Sequence, residues 1–109
     1  MVKYKSRQLD EVFSAISDPT RRAILEKLAA KECTVSELAE PFDMSLPAIT
    51  KHLNILEHAG LLKRKKDGRI RHCRLIARPM KDAIAWMEEY RIFWEGQLDS
   101  LQMFLKKNP

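Results

Sequence analysis

Residues 42–60, FDMSLPAITKHLNILEHAG, decide the fold together with the basic run LLKRKKDGRIRHCRL that follows at residues 61–75. Ser45 has the hydroxyl of an N-cap, Pro47 suits a first turn whose N–H groups lack partners anyway, and Gly60 fits the left-handed residue that closes a helix. Together they bracket one helix of about four turns. At about 100° per residue, Leu46, Ile49, Leu53 and Leu56 fall on one side, and Pro47, Ala48, Lys51, Asn54, Ile55 and His58 on the other. That second side carries few charges for a solvated face. Small residues that permit close approach, joined by a Lys, an Asn and hydroxyls, suit the major groove of duplex DNA, so this reads as a recognition helix.

With 109 residues, 45% hydrophobic and 32% charged, the chain has the balance of one globular domain with a modest core, expected to span residues 1–109. Its net charge of +5 is unevenly placed. Within residues 63–74, Lys63, Arg64, Lys65, Lys66, Arg69, Arg71 and Arg74 stand against Asp67 alone, so this segment carries +6 and the remainder −1. Charge gathered into one segment points to an anionic partner. The two cysteines make neither a disulfide framework nor a zinc spacing, and no apolar run approaches the roughly 18 residues of a membrane span. The N-terminal MVKYKSRQLDEV lacks the apolar core of a signal peptide, so a cytoplasmic protein with free thiols is expected.

Ahead of the recognition helix, Leu9, Val12, Phe13 and Ile16 repeat at i, i+3, i+4 and i+7, which predicts a short amphipathic helix over about residues 7–17. Asp18-Pro19 caps and opens a second helix, with Ala23, Ile24 and Leu28 inward, ending near residues 30–31. Thr34-Val35-Ser36-Glu37 has the capping-box pattern of a third helix, which Pro41 stops. The short link to Ser45 then makes a helix-turn-helix over about residues 34–59.

Past Gly60, Asp67-Gly68 predicts a two-residue turn in a hairpin over about residues 61–76. Such a turn pairs Lys66 with Arg69, Arg64 with Arg71, Lys63 with His72 and Leu62 with Cys73, turning Leu62, Cys73 and Leu75 toward the core. Arg64 then opposes Arg71, a repulsion that a phosphate backbone relieves. The last helix is expected over about residues 79–106, on the order of 40 Å long. Met80, Ile84, Met87, Trp94, Leu98, Leu101 and Leu105 line one side of it, and Trp86, Tyr90 and Phe93 an adjacent side. This arc is wider than so small a domain can cover, so a homodimer is expected to bury it beside Leu9, Val12, Phe13 and Ile16 of the first helix.

The run SDPTRRAILEKLA, then TVSELAEPFDMSLPAITKHLNILEHAGLLKRKKDGRIRHCRL, then the last helix with WMEEYRIFWEGQLDSL, resembles the ArsR family of small winged-helix bacterial repressors over nearly the whole chain. The resemblance implies a mainly α fold with a small β-hairpin: a winged helix-turn-helix with a long C-terminal dimerisation helix. It also implies dimers joined through the first and last helices, with residues 45–59 in the major groove of double-stranded DNA and the wing along the backbone. The best-known members sense metals through a Cys-Val-Cys-Asp-Leu-type motif. Here that motif falls on Thr34-Val35-Ser36-Glu37-Leu38, with hydroxyls at both thiolate positions, and residues 79–106 contain no histidine. No metal site and no cofactor are therefore expected, and any effector is left unidentified.

The expected DNA contacts are Ser45, Pro47, Ala48, Thr50, Lys51, His52 and Asn54 from the helix and Lys63, Arg64, Lys66, Arg69 and Arg71 from the wing. Arg21, Arg22, His58 and His72 are further phosphate candidates, each with a plain surface alternative, and for His52 a local hydrogen bond is favoured over a phosphate contact. Cys73 is expected to be a buried thiol and Cys33 an exposed one. No Gly-rich phosphate loop and no nucleophile, base and acid arrangement supports catalysis. The sequence thus favours a sequence-specific repressor on a palindromic operator. Its rivals are a winged-helix module for protein–protein assembly and a metal- or redox-responsive repressor.

Overall fold

The computed structural model describes residues 2–108, with side chains from residue 7 onward. Its elements run α1 (Val2–Ala15), α2 (Pro19–Ala30), β1 (Cys33–Thr34), α3 (Val35–Ala39), α4 (Leu46–His58), β2 (Leu62–Asp67), β3 (Ile70–Leu75) and α5 (Met80–Lys107). The fold is mainly helical with one small antiparallel sheet. α1 begins ahead of its apolar stripe, because a stripe marks only the packed turns of a helix.

Local chemistry sets most boundaries. Asp18 accepts a hydrogen bond from the Arg21 amide at 3.0 Å, and Pro19 opens α2. At α3 the capping box closes in both directions: Thr34 Oγ1 accepts from Glu37 N at 3.1 Å, and Glu37 Oε1 accepts from Thr34 N at 2.9 Å. The Thr34 backbone donor holds the Glu37 carboxyl below its ordinary range. A depressed carboxylate stabilises the fold above its unfolded pKa, so this contribution is lost on acidification. Thr34→Ala removes one half of the box and is expected to cost about 1 kcal/mol in urea-induced unfolding at neutral pH.

Gly60 ends the α4 segment with φ +79°, and a Cβ there would stand 3.3 Å from Pro79 Cγ. Glycine therefore serves both the left-handed turn and the close approach of the α5 start. The core gathers Val12 and Ala15, Ile24, Leu25 and Leu28, Leu38, Ile49, Leu53 and Leu56, then Leu61, Leu62, Cys73 and Ala83. Leu46, expected inward, is 57% exposed at the first turn of α4, where the core no longer reaches it. Val12 corrects in the opposite sense: it is fully buried inside its own chain and has no surface left for a dimer. Leu9, Phe13 and Ile16 are half-buried against the same core.

The sheet departs from expectation in two ways. Its order is β1-β3-β2, with a two-residue edge strand that no periodicity announced. The hairpin turn also sits one residue further along than expected, so each β2 residue pairs two positions further along β3. Asp67 pairs with Ile70, Lys66 with Arg71, Lys65 with His72, Arg64 with Cys73, Lys63 with Arg74 and Leu62 with Leu75. The central turn residues are thus Gly68 and Arg69, and of the two only Gly68 has a positive φ, +65°. An Asp-Gly turn of type I′ needs positive φ at both positions, whereas a II′ turn needs it only where glycine stands. Like charges still face one another, but as Lys66 with Arg71 and Lys63 with Arg74.

Cys33 lies in register with Cys73, and both thiols are free and buried. Cys33 is 2% exposed, which overturns its expected accessibility: the strand that sequence reasoning missed carries it under the sheet. Burial pushes the Cys73 thiol up to about 11, which suppresses the reactive thiolate. Among the described residues, no helix is long and apolar enough to cross a membrane.

α5, with 28 residues, spans about 42 Å. Phe13 of α1 meets Trp86 edge-on at 5.6 Å between ring centroids, and Trp86 in turn packs on Tyr90 at 4.8 Å. From Ile84 onward every α5 residue is exposed. The helix runs well past the core, giving the chain a longest extent of 67 Å.

Candidate nucleic-acid interface

α4 presents the expected surface. Its N-cap holds, with Ser45 Oγ accepting from Ala48 N at 3.3 Å. Ile49, Leu53 and Leu56 anchor the helix in the core, which leaves the opposite side outward. Leu46, Pro47, Ala48, Thr50, Lys51 and Asn54 together line one shallow open concavity on that side. The exposed Leu46 therefore belongs to this surface, where an apolar group can meet a thymine methyl.

The wing stands beside it. Residues of a strand alternate between faces, so Lys66 and Arg71 share the face of Leu62 and Cys73, whereas Lys63, Lys65 and Arg74 take the other. A second groove joins wing and helix directly: Arg69 and Arg71 line it with Leu46 and Thr50, beside Thr34 and Ser36 at the start of α3. Lys66, Arg69 and Arg71 are all exposed. Lys63 lines a separate groove together with Glu32, Lys65, Lys66 and Arg74.

Arg64 bonds to α4. Its Nη2 donates to Glu57 Oε1 at 2.7 Å and to Asn54 Oδ1 at 2.6 Å, and its Nε donates to Glu57 Oε2 at 3.3 Å. The Arg64 backbone N–H also reaches Glu57 Oε2 at 3.3 Å. These bonds to Arg64 hold the Glu57 carboxyl below its ordinary range and raise the guanidinium's pKa. Arg64 is thus engaged with α4 rather than free for a phosphate. A signal for this existed, because Glu57 is the only carboxylate within residues 44–66, next to a segment of charge +6.

His52 also turns away from the reading face. Its Nδ1 lies 3.2 Å from Arg21 Nη1 and 3.9 Å from Asp18 Oδ2, at the junction with α2. Arg21 donates from Nε to Ala15 O at 2.7 Å and from Nη2 to Ser14 O at 3.0 Å, while Arg22 Nη1 donates to Ile16 O at 2.8 Å. Both arginines therefore satisfy carbonyls at the end of α1, which leaves them poorly placed for phosphate. His58 Nε2 lies 3.3 Å from Glu11 Oε1 of α1.

What remains is a small, lightly charged helix face between exposed cations, a combination suited to duplex DNA. A model described as a helix-turn-helix domain matches residues 16–65. The chain is 40% identical over 79 residues to the transcriptional repressor SdpR of Bacillus subtilis, covering 72% of this chain and 88% of that one. Among solved structures, it is similar to an ArsR family transcriptional regulator at 44% identity and a TM-score of 0.77, covering 83% of this chain and 93% of the other. An ArsR-like transcriptional regulator from Rhodococcus sp. RHA1 matches at 31% identity and a TM-score of 0.69, over 95% and 96% of the two chains.

Proposed function

Since this chain belongs to the ArsR family of helix-turn-helix transcriptional regulators, proteins that bind DNA rather than catalyse, we propose that it is a homodimeric repressor acting in the cytoplasm on a palindromic operator. The observation that carries this reading is the shared groove of α4 and the wing, where Thr50 of the reading helix and Arg69 and Arg71 of the hairpin line one surface. α4 enters the major groove with Pro47, Ala48, Thr50, Lys51 and Asn54 toward base edges, while Lys66, Arg69 and Arg71 follow the phosphates. Ser45, as N-cap, orients the first turn.

Dimerisation is supported by α5. Ile84, Met87, Trp94, Leu98, Leu101 and Leu105 recur at alternating spacings of three and four, with Arg91 in the one remaining place. This is the spacing of a coiled-coil seam, and a single polar residue in such a seam sets register. Arg91 is already bound by Glu95 at 2.6 Å and by Glu88 at 2.7 Å. Trp86, by contrast, meets Phe13 of the chain's own α1 and packs on Tyr90. A second copy is therefore the occupant proposed for the seam, with Phe93 at its flank.

Three free wing cations per protomer give six for a dimer, so the log of the binding constant should fall against log salt with a slope of about −5. Fluorescence anisotropy on the promoter fragment upstream of the chain's own gene, from low to moderate salt, measures it. A specific site that outcompetes bulk DNA supports the repressor. Salt-dependent binding with no such preference sinks it.

A further inference from the structure

Resting on the reading of α4 as the groove reader, we infer that Arg64 is a positioning residue that fixes which hydrogen-bonding head Asn54 offers to a base. The guanidinium has five donors and no acceptor, so the amide that meets it must turn its oxygen inward. Asn54 Oδ1 accepts from Arg64 Nη2 at 2.6 Å, and Asn54 itself is exposed. The amide NH2 therefore points outward. Arg64 cannot easily swing away, since its backbone N–H and its side chain are both bonded to Glu57, one turn along α4 from Asn54. Its side chain is only 19% exposed, a low figure for a surface arginine. β2 is thereby fastened to the reading helix at the place where the helix carries its amide.

The consequence is a change of specificity. A free asparagine reads adenine with both halves of its amide, the oxygen accepting from N6 and the nitrogen donating to N7. With its oxygen turned inward to Arg64, Asn54 leads with the two donors of its NH2. The base edge with two adjacent acceptors in the major groove is guanine, through O6 and N7. Asn54 is thus set for a G·C pair, and Arg64 decides this without touching the DNA.

The experiment is selection of bound sites from duplexes with randomised positions, using the full chain as wild type, Arg64→Met, Asn54→Ala and the double variant. Arg64→Ala supplies a second removal of the donors, and a melting curve for each variant checks folding. The wild type should enrich guanine at the base pair whose preference Asn54→Ala erases. Arg64→Met should move that one position toward adenine by about tenfold, the scale of one bidentate contact. In the Asn54→Ala background, Arg64→Met should no longer affect it. The inference is overturned if Arg64→Met weakens all sequences evenly with preference intact, if the wild type already selects adenine there, or if the shift persists without Asn54. A wild type that enriches no site at all removes the reading of α4 itself, and this inference with it.

Discussion

Leu98→Glu combined with Leu101→Glu should yield a monomer in sedimentation equilibrium at micromolar concentration, with operator affinity reduced at least about 100-fold. The two leucines are 59% and 53% exposed in the single chain, so the carboxylates replace no residue of the described core. Every buried core residue lies in α1–α4, in or beside the sheet, or at Ala83 in the first turns of α5. The helical signal of the protomer should therefore survive. In a dimer, however, the substitutions place four carboxylates in a water-excluded seam, where unpaired charge is costly. The loss of affinity follows from geometry. Two recognition helices on one rigid body make the second half-site contact intramolecular, and a monomer forfeits that effective concentration. A double variant that still sediments as a dimer would mean that the seam of α5 faces something other than a second copy.

The parts of the fold legible in the sequence are those whose causes are local. Asp18-Pro19, Thr34 with Glu37, and Ser45 each state a helix start within four residues, and each forms the expected cap. The buried set Ile49, Leu53 and Leu56 follows from period alone. What could not be read depends on contacts between distant segments. β1 is two residues long, too short for any alternation to appear, and exists because β3 offers Cys33 and Thr34 an edge. The hairpin turn moved on by one residue, and each cross-strand partner by two, because the left-handed φ settled on Gly68 alone, a choice that the dipeptide Asp-Gly leaves open. Leu46 lay on the apolar arc of α4 yet at the end where the core runs out. Arg64 was assigned to DNA by charge and position, and it also meets Glu57 and Asn54 of another element, whereas His52 takes the local hydrogen bond that was its alternative, with Arg21. The outward placement of Pro47, Ala48, Lys51 and Asn54 was legible because being outward on a helix requires only the helix.

Helix and wing should fail in different ways when mutated, and by large amounts. Lys51→Ala or Asn54→Ala removes a group from the base-facing concavity, and should cost roughly 1–3 kcal/mol on the preferred site while blurring one or two base pairs. Nonspecific binding should change far less, since the phosphate contacts stand elsewhere. Arg71→Ala removes an exposed cation beside Thr50 on the flank of the reading helix, opposite Lys66 in the hairpin. It should weaken all duplexes by similar factors and lower the magnitude of the salt slope by about one per protomer, because one fewer counterion is released at each half-site. Its loss also relieves the repulsion with Lys66, so the free protein should be unfolded no more easily than the parent. Anisotropy titrations of both variant classes, on specific and scrambled duplexes at two or more salt concentrations, separate these effects. Base preference altered by Arg71→Ala but untouched by Asn54→Ala would place the reader in the wing and the anchor in α4, the reverse of the arrangement that the exposed small residues of α4 support.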